Sequence, residues 1–192
     1  YVPTGALSFD VEDASGFSVG DVVGVARTPN QAWIDKLKMG QWDWTPGGYK
    51  VNHERRIVAI EGNTLTIDIP IVDPMQAQYG SGAVFKADLA GRIQHCGVED
   101  LRLVSEFSGS TDEKHGWNAV QLGRVTNSWV RRVTAQHFGY AAVTVQSESA
   151  FITVEEVAQL DPVSEVTGGR RYSFNITDGI GILFQRCYAR DG

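Results

Sequence analysis

The second half of the chain repeats one short pattern four times: an apolar residue, two polar residues and another apolar residue. Successive copies begin 32, 24 and 30 residues apart. Repeats of about 20 to 50 residues are typical of solenoids and propellers, in which each unit buries its apolar face against its neighbours. The copies are Val98-Glu99-Asp100-Leu101, Val130-Arg131-Arg132-Val133, Val154-Glu155-Glu156-Val157 and Phe184-Gln185-Arg186-Cys187.

A second series lies between these copies, with spacings of 23 and 31 residues. Its members are Ala119-Val120-Gln121-Leu122, Ala142-Val143-Thr144-Val145 and Ser173-Phe174-Asn175-Ile176. The segments are short, rich in β-branched residues and bounded by turn residues, which predicts strands. Two interleaved series with nearly one period predict a single coil, repeated with loops of unequal length. Leucine-rich repeats would show a Leu/Asn consensus, and propeller blades would be longer.

The fold we predict is therefore all-β, a parallel β-helix with coils about 4.8 Å apart. One residue of each repeat should point inward and stack on its equivalents, and the polar pair should lie at a bend or on the outer face. The expected ladders are Val98, Val130, Val154 and Phe184, and Leu101, Val133, Val157 and Cys187.

At these residues the chain resembles the pectate-lyase-like right-handed β-helix superfamily. The matching stretches are Gly97–Leu103, Arg131–Ala135 and Phe184–Gly192. The resemblance implies a right-handed coil that handles carbohydrate on its outer surface. The superfamily includes polysaccharide lyases, glycoside hydrolases, phage tailspikes and carbohydrate-binding modules attached to xylan-degrading enzymes.

The division we expect places a small β subdomain at residues 1–90 and the coils at 91–192. The first region has strand and hairpin patterns but no coil period, with Glu61-Gly62-Asn63 as the hairpin turn. It would cap the open strand row at the start of the β-helix. No capping element follows the last strand, so we expect a further domain, a second chain or more coils beyond Gly192.

A segment rich in aromatic residues interrupts the first region. A short helix is predicted within Pro29–Met39, followed by an aromatic loop at residues 40–49 that contains Trp42, Trp44 and Tyr49. Flat rings on a loop can stack on the apolar faces of sugars. The alternative is that these rings fix the loop to the subdomain.

The coils should display three loops on one flank, since all three leave at the same phase of the repeat. Two long loops beside a short one would form a trough, and loops on a rigid scaffold often carry binding residues. Its predicted floor is His137, Phe138 and Tyr140. The predicted walls are His115 and Trp117 on one side and Arg170, Arg171 and Tyr172 on the other.

Lyase chemistry could draw on the same residues. Arg170 or Arg171 could neutralise a uronate carboxylate, and His137, Tyr140 or Tyr172 could remove the C5 proton. The alternative is that the arginines anchor a loop and that His137 packs in a turn. Calcium would be a possible cofactor of a lyase, although no acidic cluster has calcium-ligand spacing. Otherwise the sequence indicates neither cofactor nor metal.

Hydrolase chemistry has weaker support. Asn175-Ile176-Thr177-Asp178-Gly179 faintly matches one polygalacturonase motif, but that family's paired aspartates and its other motifs are absent. Asn175-Ile176-Thr177 is also a glycosylation sequon, placed on a predicted strand. We expect the cysteines, Cys96 and Cys187, to be small core residues.

The overall composition narrows the possible partners. The 192 residues are 42% apolar with a net charge of −6, so the chain can form a core and carries no basic stripe for nucleic acid. No apolar run is long enough to cross a membrane. We therefore expect a secreted, extracellular or periplasmic carbohydrate-binding module that recognises a plant cell-wall polysaccharide, xylan-like, as part of a larger protein. The alternatives are a polysaccharide lyase and a structural, tailspike-like trimer piece.

Overall fold

The computed structural model describes every residue from Tyr1 to Gly192. The chain divides into two compact units, Tyr1–Asp88 and Leu89–Gly192. The capping role of the first unit remains a prediction.

The first unit is built on a five-stranded antiparallel sheet with the order β1-β4-β3-β2-β5. Alternating residues of these strands bury Phe9, Val23, Ile57 and Leu65 in one core. The helix α1 spans Gln31–Leu37, and short 3₁₀ helices span Met39–Trp42 and Ala77–Tyr79. The strands are β1 (Ser8–Asp10), β2 (Val22–Pro29), β3 (Val51–Glu61), β4 (Thr64–Ile67) and β5 (Gly80–Lys86).

The helix α1 lies within the range that the sequence predicts. The Asn30 side chain accepts a hydrogen bond from the backbone N–H of Trp33, which satisfies one of the free donors of the first turn. Ile34 is fully buried, whereas Leu37 is exposed. The helix ends at Lys38, which takes a left-handed conformation.

In the second unit all strand pairings are parallel. One sheet has the order β12-β10-β8, and the other has the order β13-β11-β9-β6, with β7 beside β9 and β14 beside β11. The strands are β6 (Ile93–Gln94), β7 (Gly97–Val104), β8 (Asn118–Leu122), β9 (Val125–Gln136), β10 (Ala141–Val145), β11 (Ala150–Leu160), β12 (Phe174–Ile176), β13 (Ile180–Gln185) and β14 (Tyr188–Ala189).

The register between strands confirms the predicted β-helix. Val98 pairs with Val130, Val130 with Val154, and Val154 with Phe184. Val130 and Val154 are fully buried, so this ladder forms the interior of the coils. The second series is also in register, since Val143 pairs with both Val120 and Phe174.

The polar pairs of the repeat lie at a corner, as expected. Its third residue takes a left-handed conformation in every coil, at Asp100, Arg132, Glu156 and Arg186. For residues other than glycine this conformation costs roughly 1–2 kcal/mol each. The charges of these four corner residues alternate in sign from coil to coil, so each basic corner residue faces an acidic one.

Ion pairs connect these corners across neighbouring coils. Arg132 binds Asp100 with two hydrogen bonds of 2.6 and 2.7 Å, and Arg186 lies 3.2 Å from Glu156. Arg131 also pairs with Glu99. These contacts lower the pKa of Asp100, chiefly through the hydrogen bonds from Arg132.

The two cysteines differ from one another. Cys96 is exposed, so its prediction as a core residue is wrong: it lies in the turn between β6 and β7, beside a left-handed His95. Cys187 packs against the core of the coils. Both are free thiols.

A group of basic side chains is buried in the first unit. Arg27 and Arg55 are 4% and 3% exposed, and only Arg27 has a carboxylate partner, Asp73, at 2.6 Å. Arg55 donates instead to the carbonyls of Glu54 and Pro70. His53 lies on the same sheet, and its Nε2 atom is buried without a hydrogen-bond partner. Burial lowers the pKa of His53, and the charges of Arg55 and Arg27 lower it further, against the opposing effect of Asp73.

Replacing Val154 by Ala should destabilise the second unit by about 2 kcal/mol, because two methyl groups leave a fully packed interior. Denaturant unfolding would measure this change. Val166→Ala is the control, since Val166 is 84% exposed and its truncation should change stability by less than about 0.5 kcal/mol. Equal effects of the two substitutions would contradict the interior ladder.

The first unit should lose stability as the pH falls below about 6.5. In the unfolded chain His53 takes up a proton near that pH. In the folded chain its pKa is lower, so His53 stays neutral there. Between the two pKa values protonation therefore favours the unfolded chain, and stability falls. Hydrogen exchange of β2 and β3 at about pH 7.5 and 5.5 would report this loss. His53→Gln should reduce the difference in hydrogen-exchange protection between the two pH values. If that difference is unchanged, other titrating groups cause it.

Candidate functional site

The three loops leave the coils from stacked positions, so they share one flank. The last residues of β7, β9 and β11 are in register: Val104 pairs with Gln136, and Gln136 with Leu160. The first two loops also return in register, at Asn118 and Ala141. We name the connections loop 1 (residues 105–117), loop 2 (137–140) and loop 3 (161–173), and their joint surface the loop flank.

Backbone hydrogen bonds continue the stacking into the loops. The N–H groups of Gly139 and Tyr140 donate to the carbonyls of Gly116 and Trp117, at 3.0 and 2.9 Å. The Ser164 hydroxyl donates to the Gly139 carbonyl at 2.9 Å. The short loop 2 is therefore held between the two long ones.

Three aromatic rings, one from each loop, form a connected row on this flank. Trp117 stacks on Tyr140 with ring centroids 5.7 Å apart and an interplanar angle of 16°. Tyr140 contacts Tyr172 edge to face, with centroids 5.6 Å apart. Tyr172 is 52% exposed, while the other two rings are partly buried. The loop flank thus presents fixed aromatic rings partly open to solvent.

His115 connects loop 1 to loop 3. Its Nε2 atom lies 2.8 Å from the Val163 carbonyl and its Nδ1 atom 2.8 Å from the Ser105 hydroxyl. Because a carbonyl can only accept, Nε2 donates the first bond. Both ring nitrogens have partners within the protein, so His115 supports the flank.

Arg170 and Arg171, the predicted partners of a uronate, both bind groups of the protein. Arg170 pairs with both carboxylate oxygens of Glu113 in loop 1, one at 2.8 Å. Arg171 donates to the carbonyl of Ser164 at 2.8 Å and to that of Asp191 at 3.2 Å. These are the loop-anchoring contacts of the alternative interpretation. A carboxylate neutralises Arg170, whereas neutral oxygen atoms hold Arg171.

His137 and Phe138 point to different environments. Phe138 packs against the core of the coils, although we predicted it in the floor of the trough. His137 makes an edge contact with Phe107, with centroids 4.9 Å apart, and takes a left-handed conformation. The base role of His137 remains a prediction.

The carboxyl groups of the flank with shifted pKa values are all shifted downward. Hydrogen bonds from Arg170 lower the pKa of Glu113, and those from Arg190 lower the pKa of Asp161. Backbone N–H groups of Lys114 and Ser108 lower the pKa of Asp112. A glycosidase acid needs the opposite shift. These three groups are therefore unsuited to donate a proton at neutral pH.

The aromatic loop of the first unit contains both packed and exposed rings. Trp44 lies between Trp33 and Tyr49, with ring centroids 5.7 and 3.6 Å apart, so stacking contacts fix it to the helix α1. The Arg27 guanidinium lies 5.1 Å from the Trp33 ring centre. Trp42 is 67% exposed. Of the predicted rings, Trp42 has the most surface to offer to a ligand.

The first unit also contains a cleft that the sequence did not indicate. Its volume is about 520 Å³, and Phe9, Phe17 and Met75 line it together with Glu12 and Asp13.

No group of three or more His, Cys, Asp or Glu side chains could hold a metal ion. No helix is long and apolar enough to span a bilayer.

Sequence reasoning missed the partners that make the flank rigid. Glu113, Ser105 and Ser164 bind the predicted site residues, yet they lie in loop segments with no strand pattern. The available signal was charge complementarity between the loops: loop 1 contains the acidic residues Glu106, Asp112 and Glu113, and loop 3 contains two adjacent arginines. Predicting that contact requires knowing that the loops share a flank.

Replacing Glu113 by Gln should loosen loop 3, because Arg170 loses its charged partner. We expect several-fold faster proteolysis within residues 165–169, which are exposed, with little change in the global unfolding midpoint. Timed digestion with mass spectrometry would measure it. Lys114→Gln is the matched control; equal cleavage of both variants would show that this ion pair does not hold the loop.

No described protein family and no curated protein matches the sequence. Comparison with solved structures finds distant neighbours. The tailspike protein gp49 of Pseudomonas phage LKA1 is 17% identical with a TM-score of 0.48, over 98% of this chain and 27% of that one. The tailspike gp61 of Pseudomonas phage phi297 is 15% identical with a TM-score of 0.45, over 84% and 30%.

A third neighbour is the gp54 tailspike of Acinetobacter baumannii bacteriophage AP22, solved in complex with a capsular saccharide. It is 11% identical with a TM-score of 0.40, over 82% of this chain and 32% of that one. The chain thus spans less than a third of each tailspike. At these identities and scores the neighbours say nothing about the ligand of this chain, and its fold rests on the parallel registers described above.

Proposed function

We propose that the chain binds a polysaccharide through the loop flank. The observation that carries the proposal is the connected row of Trp117, Tyr140 and Tyr172, contributed by three successive coils. Rings held by one another lose little conformational freedom when a sugar stacks on them, which favours binding. The half-exposed Tyr172 is the ring most open to a ligand.

The charges of the flank favour a neutral or lightly acidic polymer such as xylan. Arg170 is neutralised by Glu113, and Arg171 is bound to backbone carbonyls. A polyuronate would have to displace Glu113 before it could form the same paired contact with Arg170. A neutral sugar can instead stack on the rings and leave the ion pair intact.

The same contacts weigh against catalysis. A lyase needs a cation free to bind the uronate, but Arg170 is paired with Glu113 and the Arg171 guanidinium is bound to backbone carbonyls. The roles of His137, Tyr140 and Tyr172 as bases stay predictions. The chain would then be the sugar-holding part of a larger secreted carbohydrate-active protein. Trp42 in the first unit offers a separate exposed ring for the same class of ligand.

Affinity electrophoresis on xylan, β-glucan, pectin and a bacterial capsular polysaccharide tests the proposal. We expect retardation on at least one neutral polymer, and no retardation on any of the four would reject it. Ultraviolet absorbance of an unsaturated product, rising during incubation with pectin, would instead indicate a lyase.

Tyr172→Ala should weaken binding of the retained polymer by on the order of two- to tenfold, if the lost stacking resembles that of an aromatic pair, about 0.5–1.5 kcal/mol. Tyr188→Ala is the matched control, since Tyr188 is a similarly exposed tyrosine on β14. Both variants should retain the wild-type unfolding midpoint. Equal affinities of the two variants would remove Tyr172 from the site.

A further inference from the structure

A second aromatic surface lies on the outer face of the coils, away from the loops. Outward-facing residues of four successive strands are in register there. Trp129 pairs with Gly97 and with Thr153, and Thr153 pairs with Leu183. Their inward neighbours Val130 and Val154 are fully buried, so these side chains project outward.

The Trp129 indole lies flat against the neighbouring coil. A Cβ atom at Gly97 would come within 2.2 Å of the indole ring, so only glycine permits the ring to lie there. The indole N–H donates to a Glu99 carboxylate oxygen at 3.1 Å. The Arg131 guanidinium lies 5.7 Å from the ring centre. The ring is thus held in one orientation by backbone, carboxylate and guanidinium.

Phe151 lies in a left-handed conformation two residues before Thr153, the register partner of Trp129, and its ring covers a glycine in the opposite direction along the stack. A Cβ atom at Gly181 would lie 2.8 Å from its ring, so Phe151 leans over the following coil. Phe151 is 44% exposed. Gly97 and Gly181 belong to the first and fourth coils, so the two rings cover positions roughly 14 Å apart along the axis, at about 4.8 Å per coil.

We propose that Trp129 and Phe151 form a second carbohydrate-contact surface, which binds a neutral polysaccharide segment running along the coils. The inference rests on the proposed function, because it takes the same class of ligand. We name this surface the platform face. Two rings separated by three coil spacings can contact two non-adjacent sugars of one chain, each by stacking.

The charges beside the platform face favour a neutral ligand. Glu99 is engaged by Arg131 and by the Trp129 indole, and Glu155 is engaged by Gln185 and Arg186. The hydrogen bonds from Arg131 and Trp129 lower the pKa of Glu99, so its carboxylate stays charged and paired at neutral pH. Arg131 and Arg186 are both paired with carboxylates, so neither is free to select a polyanion. The paired polar groups at the ring edge can share hydrogen bonds with sugar hydroxyls.

Indole resonances give a test that separates the two surfaces. The chain has five tryptophans, and Trp129→Phe and Trp117→Phe assign their indole N–H signals in a ¹H–¹⁵N spectrum. Xylo-, cello- and galacturono-oligosaccharides are then titrated separately into the intact chain. We expect the Trp129 signal to move with a neutral oligosaccharide, and a hexasaccharide to bind several-fold more tightly than a disaccharide.

Each outcome decides one proposal. Movement of Trp117 alone would overturn the platform face and leave the loop flank standing, whereas movement of Trp129 alone would do the reverse. No movement of either signal with any of the three oligosaccharides would overturn both. A Trp129 signal that moves with protein concentration and not with sugar would mean that a second copy of the chain binds there, which also overturns the inference.

Affinity measurements complete the test. Trp129→Ala should weaken oligosaccharide binding by about two- to tenfold, Phe151→Ala should weaken it similarly, and Tyr188→Ala should have no effect. Trp129→Phe keeps a ring over Gly97 and should retain most of the affinity. A folded Trp129→Ala variant with wild-type affinity would show that the indole only covers the backbone of Gly97.

Discussion

Parallel stacking in strict register is the constraint on which the second unit depends. Each coil contributes one inward residue at the position of Val98, Val130, Val154 and Phe184, and the interior is the column that they form. A shift of one residue in any coil would turn its buried side chains outward. The same register fixes where each coil bends and where each loop leaves, so the surfaces follow from the interior.

The corners show how the coil can turn so often without glycine. Left-handed residues recur at Asp100, Arg132, Glu156 and Arg186, where most residue types are strained. Alternating charge places an oppositely charged neighbour above or below these corners, and Arg132 meets Asp100 with two hydrogen bonds. Attraction between coils thus accompanies the strain within each one. A corner residue with the same charge as its neighbours would have the backbone strain without this attraction.

The two proposed sugar surfaces arise from different features of one stack. On the loop flank, unequal insertions at one phase bring Trp117, Tyr140 and Tyr172 into contact. On the platform face no insertion is needed. Alternation along β9 places Trp129 outward, Phe151 projects from a left-handed position of β11, and glycines in neighbouring coils leave space for both rings. Arg170 is paired with Glu113 on the loop flank and Arg131 with Glu99 on the platform face, which favours a neutral polymer over a polyuronate.

The sequence by itself determined the coil, the inward ladder through Val130 and Val154 and the common flank of the loops, because these follow from residue spacing alone. Of the second predicted ladder, Leu101 is 47% exposed. The sequence also left open whether the polar pairs lie at a bend or on the outer face. It did not determine the partners of Arg170, Arg171 and His115, since Glu113, Ser164 and Val163 lie up to 57 residues away in segments without periodicity. Only the tertiary structure decided that those side chains support the loops, and that Trp129 lies over Gly97. Strand periodicity is a local property, whereas side-chain pairing between loops depends on their positions in space.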